Sequence, residues 1–382
     1  MPNDASLIVL GGGCAGLSLA FYLSQLGAKA TSTLVIEQRK EYFNDRTWCF
    51  WGDDDAPFAQ HAAHQWQHVY VTNGEHRVRI ECGTTPYRML SSDRFYAATM
   101  DAIEKNKSIS VRLGVHVLSE PEYRNGLWYI ETSQGVLCAP MVVDTRPHGL
   151  SAASDAVLWQ SFYGQEIEVS GAVFDPLCAD LMDFVAPNKN DIAFTYTLPL
   201  SKTRALVEFT VFAASPLQAS DLNGFLAQSI AQRTRGLDVR ILRSEYGLLP
   251  MGITKSAFGP HSVPTNTRAG LTAGAGRPST GYAFQRIQRW AQLCTQAIAK
   301  GQLPCAQPQD PWVLRKMDRL FLHVLRHHPE RAPALFSSLF ERAESQRVIR
   351  FLNDQARLRD YADVVLALPA NLFLKHLFAR MG

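Results

Sequence analysis

Three glycines and a glutamate near the N-terminus carry the first recognisable chemistry. Gly11, Gly13 and Gly16 stand in G-x-G-x-x-G spacing, and Glu37 follows 21 residues after Gly16. The first glycine permits a tight turn, the second lets backbone approach a pyrophosphate, and the third lets a helix pack closely on a strand. An acid about 20 residues further on can hydrogen-bond a ribose hydroxyl. The chemistry implied is capture of an ADP-bearing dinucleotide, with free N–H groups and the positive dipole end of a helix facing its phosphates.

The flanking segments fit that task. Leu7-Ile8-Val9-Leu10 reads as a buried strand leading into the glycines. An apolar-periodic helix follows, and Leu34-Val35-Ile36-Glu37 reads as a second strand ending in the acid. This is the order of a βαβ dinucleotide unit, whereas an ordinary glycine-rich turn leaves Glu37 unexplained. Downstream, Val69–Val71 and Val78–Ile80 alternate about Asn73-Gly74, as a hairpin does. A helix is expected from Ser92, with Ser91 or Ser92 as N-cap. Strands are expected at 109–118, 127–132, 135–138 and 141–144, the last ending in Asp144. Residues 157–212 and 239–253 read as strands, 218–234 as helix, and 270–282 as a second glycine-rich loop before a helix reaching about residue 300.

The whole chain sets limits. At 382 residues it can bury a large core in two or more lobes. Its 46% hydrophobic and 19% charged content excludes disorder. A net charge of +3 is too mild for a nucleic-acid partner. Seven cysteines lie singly, with no C-x-x-C pair, which argues against a disulfide scaffold and a zinc site and for a reducing compartment. No metal is expected. The N-terminus enters the first strand at once, so no secretory signal is expected, and no apolar run reaches the ~18 residues of a spanning helix. The expected architecture is α/β. A discontinuous nucleotide domain takes 1–40, 86–150 and 265–300, β-rich substrate segments take 41–85 and 151–264, and a helical region takes 301–382.

This arrangement resembles the flavoproteins with a Rossmann-like FAD-binding domain of the glutathione-reductase/hydroxylase type. Val142-Val143-Asp144-Thr145-Arg146-Pro147 looks like their mid-chain strand, and Gly274 to Gly281 like their late loop. Within the class the sequence is similar to the lycopene β-cyclases. The shared segments are Asn44-Asp45-Arg46-Thr47-Trp48-Cys49-Phe50-Trp51, Gln165-Glu166-Ile167 with Phe174-Asp175-Pro176, and Leu181-Met182-Asp183-Phe184. Leu206-Val207-Glu208-Phe209-Thr210, Glu245-Tyr246-Gly247-Leu248-Leu249-Pro250-Met251 and Pro278-Ser279-Thr280-Gly281-Tyr282 complete the set. The likeness runs from about residue 5 into the helical tail.

The resemblance implies a redox-neutral cyclisation of lycopene ends to β-ionone rings, giving γ- and β-carotene. It implies reduced FAD, with NAD(P)H as reductant. Arg94, Asp144, Gly274, Gly276, Thr280 and Gly281 would join Gly11, Gly13, Gly16 and Glu37 at the cofactor. Glu208 would be the general acid, with Asp45 and Arg46 as further catalytic candidates beside their plain reading as a surface ion pair. Trp48, Phe50, Trp51 and Tyr282 would line the pocket and steady a cation through their ring faces. Glu245 could line the pocket but stays outside the candidate set. Many relatives carry a second acid directly after the strand glutamate, where this chain has Phe209. Neighbours on a strand face opposite sides, so Phe209 need not touch the pocket of Glu208.

The implied substrate lives in a bilayer. Residues 315–350 hold eight Lys/Arg against four Asp/Glu, and Val364–Leu368 and Leu372–Leu374 add apolar surface. Such helices could dock on anionic lipid or simply cap the core. The expected location is cytoplasmic, peripheral on the inner face of the membrane, with other carotenoid-pathway enzymes as possible partners. Two rivals stand beside this reading. One is an FAD-dependent monooxygenase or reductase acting on a lipid or polyene, against which the Asp-free loop Ala273–Pro278 counts. The other is a non-catalytic flavin- or carotenoid-binding protein.

Overall fold

Four consecutive apolar residues without alternation have no wet face, so the strand they form must be covered on both sides. A computed structural model, which describes residues 3–147, 156–185, 190–253 and 265–378, places Leu7–Leu10 in that position. This strand, β1, is wholly buried. It lies at the centre of a parallel sheet with β2 (Thr33–Ile36), β8 (Ile109–Arg112), β12 (Met141–Asp144) and β18 (Asn266–Arg268), in the order β18-β12-β1-β2-β8. Helices α1 (Cys14–Ser24), α2 (Ser92–Glu104) and α4 (Phe284–Ala299) cover one face. A small antiparallel sheet of β9 (Glu122–Arg124), β10 (Leu127–Thr132) and β11 (Gly135–Ala139) covers the other, packing Trp128, Ile130 and Leu137 on Ile8, Leu10 and Leu34. Strand β8 is shorter than the expected 109–118 because Gly114, at φ +69°, breaks the extended run.

The second lobe centres on a seven-stranded sheet. Its members are β5 (His68–Asn73), β6 (His76–Glu81), β13 (Leu158–Val169), β14 (Cys178–Val185), β15 (Ile192–Pro199), β16 (Arg204–Ala213) and β17 (Val239–Met251). They run in the order β17-β13-β16-β15-β14-β5-β6. A three-stranded sheet of β3 (Thr47–Trp51), β4 (His64–Trp66) and β7 (Tyr87–Ser91) lies between this sheet and the parallel one. Thus the segment 86–150 opens on a strand paired with β3 and β4, and contributes to the parallel sheet only from β8 onward.

Alternation along β16 decides what each face of the large sheet meets. Val207, Phe209 and Val211 bury against Leu222, Leu226 and Ile230 of α3 (Ala219–Thr234), and Phe209 stacks on Phe225 at 5.2 Å. Leu206 and Phe212 point the other way, into a core shared with Trp51, Tyr87 and the C-terminal helices. Those helices are α5 (Trp312–His327), α6 (Ala332–Arg342), α7 (Ser345–Leu352), α8 (Leu358–Ala367) and α9 (Ala370–Phe378). Among the described residues no helix is long and apolar enough to cross a membrane.

Candidate active site

The glycine turn has the shape a pyrophosphate needs. Gly11 adopts φ +95°, and a Cβ on Gly16 would fall 2.0 Å from the Gly11 carbonyl, so neither position admits a side chain. At Gly13 the nearest neighbour to an added Cβ is Arg39 Nη2 at 3.8 Å, which leaves that side open at the N-terminus of α1. These residues therefore fit a dinucleotide phosphate.

Glu37 follows β2 directly and is buried. Its carboxylate accepts hydrogen bonds from the Gly12 amide (2.7 Å), the Arg39 amide (2.8 Å) and Arg39 Nε (3.0 Å). Burial pushes its pKa up, but these donors outweigh burial and hold it below the usual glutamate value.

Several expected residues surround this cradle without reaching the second lobe's acids. Asp45 accepts from Tyr96 Oη (3.1 Å) and pairs with Arg39 (3.4 Å), and Arg39 Nη1 also donates to Tyr96 Oη (2.9 Å). Arg46 is 62% exposed in its side chain and lies 3.7 Å from Asp45. Among the described residues neither hydrogen-bonds nor ion-pairs with Glu208; both lie beside the glycine turn through Arg39. Ser92 Oγ accepts from the amides of Asp45 (2.9 Å) and Arg46 (3.0 Å), which fixes the entry to β3. Ser91 is the N-cap residue of α2 by position, without a side-chain capping bond.

Arg94 is exposed and donates to the Ala62 carbonyl at 3.1 Å. Asp144 is buried and receives a two-pronged contact from Arg146 (2.7 and 3.0 Å), while Thr145 Oγ1 donates to the Leu10 and Gly11 carbonyls (both 2.9 Å). Both residues buttress the strand ends under the turn.

The late loop bridges the lobes. Gly274 and Gly281 take positive φ (+91° and +72°). A Cβ on Gly281 would meet Leu249 Cδ1 at 2.9 Å and Gln160 Oε1 at 3.1 Å, so the loop lies directly on β17 and β13. Gly276 approaches Leu271, and Thr280 Oγ1 accepts the Tyr282 amide at 3.3 Å. Arg277, fully buried, pins the loop to the helical region through Asp318 (3.2 and 3.1 Å), which also accepts from Ser279 Oγ (2.8 Å).

The second lobe gathers a different set. Strand register aligns Glu245 of β17, Gly164 of β13, Glu208 of β16 and Tyr196 of β15 in one row across the sheet. Gly164 is the one member of the row without a side chain. A Cβ there would sit 3.4 Å from Cβ and Cγ of Glu208 and from Cγ of Glu245, so the two acids lean over a residue with no side chain.

The acids have unlike surroundings. Glu208 is 9% exposed and, among the described residues, receives one side-chain hydrogen bond, from Thr210 Oγ1 at 2.9 Å. Burial, and then the neighbouring Glu245, push its pKa up to about 8; Thr210 and Arg243 oppose this. Glu245 is ion-paired with Arg243 (2.5 Å) and accepts from Thr47 Oγ1 (2.8 Å). Arg243 also donates to Thr47 Oγ1 (2.7 Å) and to Glu166 (2.7 Å), and Arg204 donates to Glu166 (2.6 Å). Burial thus disfavours the charged form of one carboxyl, while its neighbour is ion-paired with a guanidinium.

Beyond the acids lies a wall of phenols. Tyr87 Oη and Tyr196 Oη are 2.8 Å apart, and Tyr282 lies in the same buried cluster, packed on Trp51 beside Tyr87. Burial raises all three hydroxyls above the ordinary tyrosine value. Burial likewise pushes the Cys49 thiol up to about 12. All four groups stay neutral at physiological pH.

Strand β3 explains which aromatics belong here. Thr47 and Cys49 face the acids, and Trp51 packs on Tyr87 (4.6 Å) and Tyr282 (5.6 Å). Trp48 and Phe50, expected in the pocket, sit on the opposite face against Phe284 (5.7 and 5.2 Å) in the core beside the parallel sheet. The period of two forces this division. Glu245, Gly164, Tyr196 and Tyr87 are the residues that sequence reasoning left out. A glycine inside an otherwise bulky twelve-residue strand was the available signal, because such glycines often mark a close approach.

Comparison with known proteins agrees with this geometry. A family model described as "Lycopene cyclase protein" matches residues 6–377. A lycopene beta-cyclase of Pseudescherichia vulneris is 28% identical over 314 residues, covering 79% of this chain and 76% of that protein. A lycopene beta cyclase of Synechococcus elongatus is 26% identical over 310 residues, covering 77% and 72%. Among solved structures, a geranylgeranyl bacteriochlorophyll reductase-like protein of Thermoplasma acidophilum superposes with a TM-score of 0.61 at 14% identity, over 98% of this chain and 95% of that one. The p-nitrophenol 4-monooxygenase of Pseudomonas putida gives 0.58 at 15% identity, over 98% of each chain. The fold is that of the FAD-dependent monooxygenases and reductases, and the chain belongs to the lycopene cyclase family.

Proposed function

We propose that this chain closes the ψ-ends of lycopene into β-ionone rings. The observation that carries the reading is the pair of buried acids over Gly164, with Glu208 holding its proton up to a pH of about 8. Protonating an alkene needs an un-ionised acid placed on carbon and shielded from water. Glu208 gives its proton to the terminal double bond, leaving a tertiary cation. The neighbouring double bond attacks that cation and closes the six-membered ring, moving the charge onto the ring. Loss of a ring proton to a carboxylate then forms the β double bond, so atoms and electrons balance with no net redox change. Glu245, ion-paired with Arg243 and bonded by Thr47 Oγ1, stands beside the developing cation, and the faces of Trp51, Tyr87 and Tyr282 add aromatic stabilisation.

Gly11, Gly13, Gly16, Glu37 and the loop from Gly274 to Gly281 would hold FAD. In its reduced form, maintained by NAD(P)H, the cofactor would supply further electron density to stabilise the cation. In this reading cofactor binding belongs to 1–40, 86–150 and 265–300, substrate binding to 41–85 and 151–264, and the helical region 301–382 braces both. Leu358 (88% exposed), Val365 (55%) and Leu366 (79%) on α8 and Leu374 (48%) on α9 offer apolar surface for peripheral attachment to the inner face of the membrane.

The test is to supply lycopene in vesicles to the FAD-reconstituted chain under anaerobic, reducing conditions. A ring-bearing product of unchanged mass is expected, and Glu208→Gln should retain flavin without forming it. An oxygen-dependent gain of mass would instead identify a monooxygenase. Full turnover by Glu208→Gln would overturn the acid assignment.

A further inference from the structure

The helical region holds a group of imidazoles that the cyclisation does not use. His323 and His327 stand at i and i+4 on α5, on one side of the helix. His376 of α9 meets them, with ring centroids 5.3 and 5.5 Å away, and one ligand nitrogen from each of the three lies within 4.8 Å of the others. The packing of α9 on α5 brings His376 there, and Phe321 and Phe373 stack at 6.3 Å nearby.

The second-sphere contacts are those of ligands already oriented. His327 Nδ1 is 2.8 Å from the His323 carbonyl, so Nδ1 carries hydrogen and Nε2 keeps its lone pair for a ligand. His376 Nε2 is 3.0 Å from His328 Nε2, a bond that steadies the His376 ring. His328 Nδ1 in turn lies 3.5 Å from Glu330. The exposed face of His327 gives an entry path.

We propose that His323, His327 and His376 bind one borderline divalent transition ion, Zn2+ by ligand type, and that this ion clasps α9 to α5. Three imidazole ligands suit Zn2+ and its congeners and do not suit Ca2+ or Mg2+, which take oxygen ligands. Tetrahedral bonds of about 2.0–2.1 Å put ligand nitrogens roughly 3.4 Å apart, so rotamer-scale movement from the present spacing completes the site. Absent cysteine pairs do not count against it, because the site uses no thiolate and is joined by residues 49 positions apart (327 to 376). The ion would fasten the helix that carries the exposed Leu374, independently of the chemistry at Glu208.

The experiment uses the full chain, stripped with chelator and titrated with Zn2+ and with Co2+ as a spectroscopic probe. One ion per chain is expected, with tetrahedral Co2+ bands and slowed amide exchange across 370–378 on Zn2+ addition. The His327→Gln variant changes an exposed residue that leaves the core intact, and should weaken binding about 100-fold and abolish the exchange effect. His116→Gln, at an exposed histidine elsewhere, should change neither. Equal uptake by the wild type and His327→Gln, or no stoichiometric uptake by the wild type, overturns the proposal.

Discussion

Two buried glutamates, one in each lobe, are driven in opposite directions. Glu37 follows a parallel strand and meets two backbone amides and the Arg39 guanidinium, which hold its carboxylate below the ordinary range. Glu208 sits mid-strand with one hydroxyl donor and a second carboxylate nearby, and its pKa rises to about 8. Burial raises both; donor count and the sign of the neighbouring charge decide the outcome. In the proposed reading the first site presents fixed charge and hydrogen bonds to the cofactor, and the second keeps a transferable proton.

The sharpest way to break the comparison is to remove each acid in turn. Glu208→Gln should lower cyclisation about 1,000-fold or more, measured as β-ring product per unit time, with flavin content unchanged. Its stability should move the other way. The folded chain keeps the Glu208 proton up to a pH of about 8 while the unfolded chain releases it near 4.5, so wild-type stability falls as pH rises through that window. The accumulated cost is at most about 5 kcal/mol. Denaturant midpoints of Glu208→Gln should therefore lose that slope and exceed wild type at pH 8. Glu37→Gln should instead release flavin on gel filtration and lower stability above the usual carboxylate range. That difference should vanish as pH falls through the lowered pKa of Glu37.

A second break exchanges the faces of β16. Phe209 follows Glu208 in sequence, but its ring is buried against α3, on the side away from Glu208. Phe209→Glu should destabilise the fold by roughly 3–5 kcal/mol, as an unpaired buried charge does, with no gain in turnover. Thermal denaturation beside specific activity checks this. The second acid of this chain has its place on β17, as Glu245.

The pH profile sharpens the comparison further. If Glu245 helps hold the proton on Glu208, Glu245→Gln should shift the alkaline limb of the activity profile to lower pH by about one unit. The limb arises because turnover needs protonated Glu208, so wild-type rate should decline as pH passes about 8. Removing Glu245 also leaves Arg243 nearer to Glu208 in effect, which drives the limb the same way. An unmoved limb with a lower plateau would make Glu245 a base only.

How much of this was legible in the chain depends on how local each signal is. The first βαβ, the helix from Ser92, the strand 141–144 and the late loop all stand where the sequence places them, because strand, glycine and cap patterns act within a few residues. The opposed faces of Glu208 and Phe209 follow from alternation alone. The acid row does not, since it needs the register between β13, β16 and β17, which pairs residues 44 and 81 positions apart. Trp48 and Phe50 went astray for a related reason. Alternation separates 47, 49 and 51 from 48 and 50, but only the packed lobes show which set meets the acids.

The smallest perturbation tests the row itself. Gly164 has no positive φ requirement, so a methyl group there is tolerated by the backbone. Its Cβ would contact three side-chain carbons of the two acids at 3.4 Å, which is ordinary van der Waals distance. Gly164→Ala should therefore leave the melting temperature within a few degrees of wild type. It should nevertheless part the carboxyl groups, reduce the influence of Glu245 on Glu208, and slow turnover about 10-fold. Flavin binding depends on the other lobe and should not change. A variant slowed without loss of flavin or fold would show that the space above a single glycine sets the proton's position. One with wild-type turnover would mean that the acids act independently, and the row would then be only a packing feature of the sheet.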